Sequence, residues 1–299
     1  MNIIIFGAGA IGSLFGSYLS KNNNVILIGN KQHVLSIKKN GLIIKGKTNL
    51  KIKIKAEESV DSLKFEPDLL ILTVKSYDTE SAILQAKKII NKNTTILSLQ
   101  NGLDNIEKIK KHIKQDNIIA GVTMHGAFFS KPGIIIHTGK GTTILGELNG
   151  KKTKRIINIV KCFNKSKIES VYSKNIIKEI WYKAVINSSI NPLTTIFECK
   201  NGYLLKNPIL ENLVDKICKE SSIIAKSNCI NIIYKEALEK TKDVIRKTSE
   251  NYSSMLQSLK KDGKTEIDSI NGELVKIGKK NNQVTFLNEI LIYSVKSLV

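Results

Sequence analysis

The 299-residue sequence predicts an α/β domain over residues 1–174, built on a parallel sheet wound with helices, and an all-α domain over residues 175–299. Three observations predict it. The first half alternates short apolar β runs with helical patterns. A glycine-rich turn joins its first strand directly to its first helix. After about residue 174, β runs bounded by glycine give way to long helical patterns. With 41% apolar residues the chain can bury two cores.

Taken in order, Asn2 to Phe6 reads as a strand, Ala10 to Lys21 as a helix and Asn24 to Ile28 as a second strand. Asp68 to Val74 reads as a buried strand around the apolar run Leu69 to Leu72, as a strand covered on both faces requires. A helix over about Thr79 to Ile90, a strand over Thr94 to Leu99, a helix from about Asp104 and a strand over Asn117 to Met124 continue the alternation. Gly133 to His137 and Thr142 to Gly146 are expected to extend the same sheet in antiparallel fashion. From Ile176 onward helices dominate, and the first is expected to end near Pro192.

The chain carries 47 basic and 26 acidic residues, a formal charge of +21. The lysines are dispersed, and in Lys51-Ile52-Lys53-Ile54-Lys55 they alternate with isoleucine, the pattern of a half-buried strand with a solvated lysine face. With 6% aromatic residues and no basic cluster interleaved with stacking residues, nucleic acid is not an expected partner. Anionic small molecules would be attracted. Met1-Asn2 lacks a basic leader, and no run reaches the roughly 18 apolar residues that span a bilayer, so no membrane partner is expected. Cys162, Cys199, Cys218 and Cys229 form no CxxC pair and no metal-ligand spacing with the four histidines. They read as buried or idle thiols of a cytoplasmic protein, with no metal. The sequence selects neither a monomer nor a homodimer.

Gly7-Ala8-Gly9-Ala10-Ile11-Gly12 fits GxGxxG, and here it follows an apolar strand and opens an amphipathic helix. Gly7 would make the tight turn, Gly9 would admit a pyrophosphate to the backbone and Gly12 would let helix and strand pack closely. The α/β domain is therefore expected to be of Rossmann type and to bind a nicotinamide dinucleotide. At the end of the second strand an acidic residue bonds the ribose of NAD, whereas a basic one accommodates the 2′-phosphate of NADP. That position reads Gly29-Asn30-Lys31-Gln32-His33, and no acidic residue occurs before Glu57. Lys31, helped by Asn30, is the expected phosphate contact, which favours NADPH/NADP+. An ordinary solvated lysine is the competing reading of Lys31.

Thr73-Val74-Lys75-Ser76 and Ser98-Leu99-Gln100-Asn101-Gly102 close two buried strands, at the ends where such sheets bind ligands. Lys75 and Asn101 are thus placed to face cofactor or substrate, although Asn101-Gly102 reads equally well as a simple turn. In the helix from Ile180 to Pro192, Lys183, Asn187 and Asn191 recur every four residues. At about 100° per residue they drift by only about 80°, so they form one polar stripe on an otherwise apolar helix. Such groups need polar partners or solvent. Later, Thr265 with Asp268 resembles a helix-capping pair flanking Glu266.

With these residues in view the chain resembles the ketopantoate reductase (2-dehydropantoate 2-reductase) family along essentially its whole length. The resemblance is carried by the glycine loop, Val74-Lys75, Asn101-Gly102 and the run from Trp181-Tyr182-Lys183 through Asn187 to Asn191-Pro192-Leu193-Thr194. Ser253-Ser254-Met255-Leu256-Gln257 and Thr265-Glu266-Ile267-Asp268 running to Ile270-Asn271-Gly272 complete it. It implies reduction of 2-dehydropantoate to (R)-pantoate by NADPH, a step toward pantothenate and coenzyme A, in a cleft between the two domains. It also implies Lys183 as general acid and Glu266 as a ligand of the substrate hydroxyl, with Asn101, Asn187, Asn191 and Ser254 positioning the substrate. One departure stands out, because many relatives carry an arginine where this chain has Asn30 and Lys31. The competing functions are reduction of another branched 2-keto acid, a dinucleotide sensor without turnover, and a basic nucleic-acid-binding protein, which strongly salt-dependent binding would be needed to sustain.

Overall fold

The computed structural model describes residues 1–61, 63 and 66–299. The chain divides into two compact units, Met1–Gln100 with Asn105–Ile177, and Asn101–Asp104 with Lys178–Val299.

In the first unit, β1 (Asn2–Phe6), α1 (Ala10–Leu19), β2 (Asn24–Ile28), α2 (Lys31–Asn40), β3 (Leu42–Gly46), β4 (Leu50–Ile52), β5 (Lys55–Glu57) and β6 (Leu69–Leu72) come first. Then follow α3 (Thr79–Ala86), β7 (Thr95–Ser98), α4 (Asn105–Lys110), β8 (Ile118–Thr123), β9 (Gly126–Lys131), β10 (Ile134–Gly139), β11 (Thr143–Glu147), α5 (Lys154–Lys165) and β12 (Ser170–Tyr172). The main sheet has the order β12-β11-β8-β7-β6-β1-β2-β5. From β8 to β5 all its pairs are parallel, and β11 joins β8 antiparallel. Its central strands are covered on both faces, with Ile3, Ile4, Ile5 and Leu69 through Leu72 all fully buried. Burial of each such side chain is worth about 1.5–3 kcal/mol, which is why these strands read as unbroken apolar runs.

A second sheet, in the order β4-β3-β10-β9, lies over α1, so every residue of α1 from Gly12 to Leu19 is buried. The expectation that both late β runs extend the main sheet holds for β11 and fails for β10, which pairs with β9 and β3 instead. The Lys51 to Lys55 run is likewise shared between sheets, β4 in the small one and β5 in the large. Its alternation is real, since the lysines are exposed and Ile52 and Ile54 are half-buried. Alternation reports which face is covered, and not which sheet supplies the neighbour.

The second unit is helical: α6 (Ile176–Ile196, shared at its first turn with the other unit), α7 (Tyr203–Lys206), α8 (Pro208–Ser227), α9 (Tyr234–Lys247), α10 (Ser254–Asp262), α11 (Glu273–Lys280) and α12 (Phe286–Lys296). A π-helical turn, Asp268–Gly272, precedes α11. Helix α8 is central, with Leu210, Val214 and Ile217 packed in one core with Ile186, Ile190 and Leu193 of α6. It starts where Asn207 accepts from the N–H groups of Ile209 and Leu210 and Pro208 occupies the first turn. Helix α6 does not end near Pro192 but runs through it to Ile196. No described helix is long and apolar enough to cross a membrane.

Candidate functional site

The glycine loop lies between β1 and α1. Gly7 adopts φ +107°, and a Cβ there would stand 2.5 Å from the Val74 nitrogen. A Cβ on Gly12 would fall 2.2 Å from the Gly7 carbonyl oxygen and 2.5 Å from Thr73 Oγ1. These two glycines let the loop fold back onto the strand ends. At Gly9, by contrast, a Cβ would meet nothing within 4 Å, so that side is open for a ligand to reach the backbone. The loop is pinned from below, where Gly7 and Ala8 donate to Ile28 O at 3.0 and 2.8 Å and Thr73 Oγ1 donates to Gly7 O at 2.7 Å. No side chain caps α1, and its first turn carries no acidic residue. Free N–H groups at the positive end of a helix form an anion site, and these fit a dinucleotide pyrophosphate.

A relay missing from the sequence reading braces the loop from the side. Gly133 N–H donates to His33 Nδ1 at 2.9 Å, which leaves the proton on Nε2 to face Ser13 Oγ at 3.0 Å, and Ser13 Oγ donates to Ala8 O at 3.1 Å. Its only signal in the sequence is an isolated histidine, which periodicity does not interpret.

The end of β2 leads almost directly into a helix. Asn30 is the N-cap of α2, its side-chain oxygen accepting from His33 N–H at 2.9 Å, and Lys31 is the exposed first residue of that helix. Its amide NH2 and the Lys31 ammonium stand at a helix N-terminus whose first turn lacks acidic residues. Sheet pairing sets Glu57, the first carboxylate of the chain, opposite Ile28 at the end of β2, a proximity no linear count shows. Its carboxylate is bound by Lys38 at 2.7 Å.

At the ends of β6 and β7, Gln100 Nε2 donates to Val74 O at 3.0 Å and to Thr79 Oγ1 at 2.7 Å, locking the strand exits together. Lys75 is half-buried just before the 3₁₀ turn Ser76–Asp78. Asn101 opens the short Asn101–Asp104 segment, which packs with the helical unit. There Leu103 N–H donates to Ser269 O at 2.9 Å and Ser269 Oγ donates to Asp104 Oδ2 at 3.1 Å.

In the helical unit the polar stripe of α6 is flanked by anchored neighbours. Tyr182 donates to Glu236 at 2.9 Å, with Lys240 3.8 Å above its ring. Lys183 and Asn187 are half-buried and Asn191 is 5% exposed, so the stripe is not a solvated face. Glu266, 6% exposed, lies two residues before the π turn. Burial pushes Lys183 below the ordinary lysine value, to about 8, while the charge of Glu266 acts in the opposite direction. The two groups therefore interact, which spacing could not establish. Thr265 and Asp268 do not form the expected cap, because Asp268 pairs with Lys296 at 2.8 Å and the segment takes a π-helical path. At the start of α10, buried Ser253 is the cap and receives a bond from Thr194 at 2.7 Å, which leaves Ser254 exposed.

Comparisons with known proteins cover both units of the chain. The model described as "Ketopantoate reductase PanE/ApbA" matches residues 3–150, and "Ketopantoate reductase PanE/ApbA C terminal" matches residues 175–298. A 2-dehydropantoate 2-reductase of Pyrococcus horikoshii is 40% identical over 298 residues, 99% of this chain and 97% of that protein. That of Aquifex aeolicus is 32% identical over 304 residues, 99% and 96% of the two chains. Among solved structures, a D-mandelate dehydrogenase with NADH and anilino(oxo)acetate superimposes with a TM-score of 0.93 at 30% identity, covering 100% of this chain and 99% of the other. A glycine loop with an uncapped helix N-terminus and a partly buried polar stripe on a helical unit thus occur in a chain matched along both units. The chain is an oxidoreductase that belongs to the ketopantoate reductase family.

Proposed function

We propose that the protein reduces 2-dehydropantoate to (R)-pantoate with NADPH, in pantothenate and coenzyme A biosynthesis in the cytoplasm. The observation that carries the reading is the partly buried polar stripe of Lys183, Asn187 and Asn191 on α6, in which burial pushes Lys183 to about 8 against the opposing charge of the buried Glu266. In the bound state a nicotinamide dinucleotide supplies the hydride to the C2 ketone of the substrate. Lys183 polarises that carbonyl and donates the proton that the resulting alkoxide requires. Asn187 and Asn191, on the same face of α6, hold the keto acid, helped by Ser254 and by Asn101 at the strand exit. Glu266 accepts from the substrate hydroxyl and keeps Lys183 charged. Gly7 to Gly12 cradle the pyrophosphate, and Lys75 lines the dinucleotide side.

The same tuning sets the pH dependence. Only protonated Lys183 can donate, so kcat/KM should be level below pH 8 and fall tenfold per unit above it. Since Glu266 raises the lysine value, Glu266→Gln should move this alkaline limb to lower pH. An unmoved limb in a pH–rate profile would separate the two residues.

NADPH over NADH rests on Asn30 and Lys31 at the α2 N-terminus and on Glu57 being held by Lys38. NADH is the alternative, favoured by the D-mandelate dehydrogenase, which was solved with it. The experiment is an assay of NADPH and NADH oxidation with 2-dehydropantoate and other 2-keto acids. Losing one exposed ammonium–phosphate contact costs about 1.4 kcal/mol, tenfold in affinity. Lys31→Ala should therefore raise the NADPH KM about tenfold and leave that of NADH within about twofold; equal changes would sink the phosphate assignment.

A further inference from the structure

Within α6, Pro192 has no N–H, so the carbonyl of Ser188 loses its helical donor. A buried carbonyl left in that state costs about 1–3 kcal/mol. The missing donor comes from a distant part of the chain. Asn271 Nδ2, on a fully buried side chain, donates to Ser188 O at 3.1 Å and to Asn288 Oδ1 at 2.9 Å. The orientation of this amide is dictated from below. Glu220 accepts from Asn288 Nδ2 at 2.8 Å and from the N–H groups of Leu287 and Asn288 at 3.0 and 2.9 Å. A carboxylate only accepts, so Asn288 turns its NH2 to Glu220 and its oxygen to Asn271. Asn271 must then turn its own NH2 toward both Asn288 and Ser188.

The position of this bridge matters more than its strength. Asn187 directly precedes Ser188, and Asn191 directly precedes Pro192, so the two amides of the stripe stand at the two ends of the broken bond. Sharp helix kinks are almost always at a proline, and Pro192 lies directly after Asn191, so the support of this turn bears on the alignment of Asn191 with Lys183. Asn271 also belongs to the π turn Asp268–Gly272, which begins two residues after Glu266. One side chain therefore fastens the segment of Glu266 to the helix of Lys183.

We infer that Asn271 is a positioning residue of the keto-acid site: by supplying the donor that Pro192 lacks, it aligns Asn191 with Lys183 and holds the Glu266 segment against α6. This rests on the reading of Lys183, Asn187, Asn191 and Glu266 as that site. The test is a cycle of four proteins, the parent, Asn271→Ala, Pro192→Ala and the double variant, assayed with 2-dehydropantoate and NADPH. Asn271→Ala should lower kcat/KM about 10- to 30-fold, within the range of coupling between groups in contact. The keto-acid KM should rise, the NADPH KM should stay within about twofold, and the alkaline limb should move to lower pH. In the Pro192→Ala background an N–H at position 192 restores the donor to Ser188, so the same substitution should cost less than about threefold. Equal losses in both backgrounds, or a lower Tm with kcat/KM and the pH limb unchanged, overturn the inference. If Asn271→Ala does not fold, Asn271→Leu, which keeps the bulk and supplies no donor, replaces it in the cycle.

A parent protein that leaves 2-dehydropantoate untouched counts against the substrate reading and not against this one. Amide hydrogen exchange in α6 after Pro192 then decides: it should quicken in Asn271→Ala and recover in the double variant, and unchanged exchange overturns the role.

Discussion

Lys183→Ala is expected to lower kcat/KM for keto-acid reduction by about 10²–10⁴-fold, the usual contribution of a positioned proton donor. Dinucleotide affinity should stay within about twofold, because the glycine loop belongs to the other unit of the chain. Lys183→Arg separates the two tasks of the residue. It keeps a cation to polarise the carbonyl, but a guanidinium does not release its proton near neutrality. That variant should recover substrate KM and not kcat, and its alkaline limb near pH 8 should vanish. Steady-state kinetics with dinucleotide titration by nicotinamide fluorescence would check both. Unchanged kcat in Lys183→Ala would remove the residue from the mechanism.

The second large effect is expected at the glycine loop. Gly12→Ala would drive a Cβ into the Gly7 carbonyl and Thr73 Oγ1, at 2.2 and 2.5 Å, where backbone cannot yield easily. Overpacking of this kind costs about 1–3 kcal/mol, or roughly 2–12 °C in Tm for a unit of this size. Dinucleotide affinity should fall about 100-fold or more, since the loop can no longer close over β1. Gly9→Ala is the control. Its Cβ meets no protein atom within 4 Å, so Tm without dinucleotide should change by less than about 1 °C. If Gly9→Ala still weakens dinucleotide binding, the obstruction is to the ligand. Thermal unfolding with and without NADPH measures both effects, and a Gly12→Ala protein with parental Tm and affinity would refute the packing argument.

Some of this was legible residue by residue. Asn2–Phe6, the glycine turn and the start of α1 at Ala10 lie next to one another in the chain, so their geometry follows from local rules alone. The stripe of Lys183, Asn187 and Asn191 was equally legible, because helical period fixes a shared face before any partner is known. The start of α2 at Lys31 was not, although Asn30 is a good cap: Asn30 and Lys31 read only as cofactor contacts. Ser254 was legible only through resemblance, and its neighbour Ser253 turned out to carry the structural bond.

By itself the sequence determined which faces are apolar, where the first strand hands over to the first helix, and which polar groups share a side of α6. Tertiary structure alone decided which element covers each face. It sent β10 to the small sheet and β11 to the large one, although both read as β runs of one sheet. It brought the charge of Glu266 to bear on Lys183 across a long stretch of chain. It also carried α6 through Pro192, because a donor that a local rule counts as missing can be supplied by a remote Asn271. Periodicity encodes the need of each segment for a partner, and only the folded chain supplies its identity.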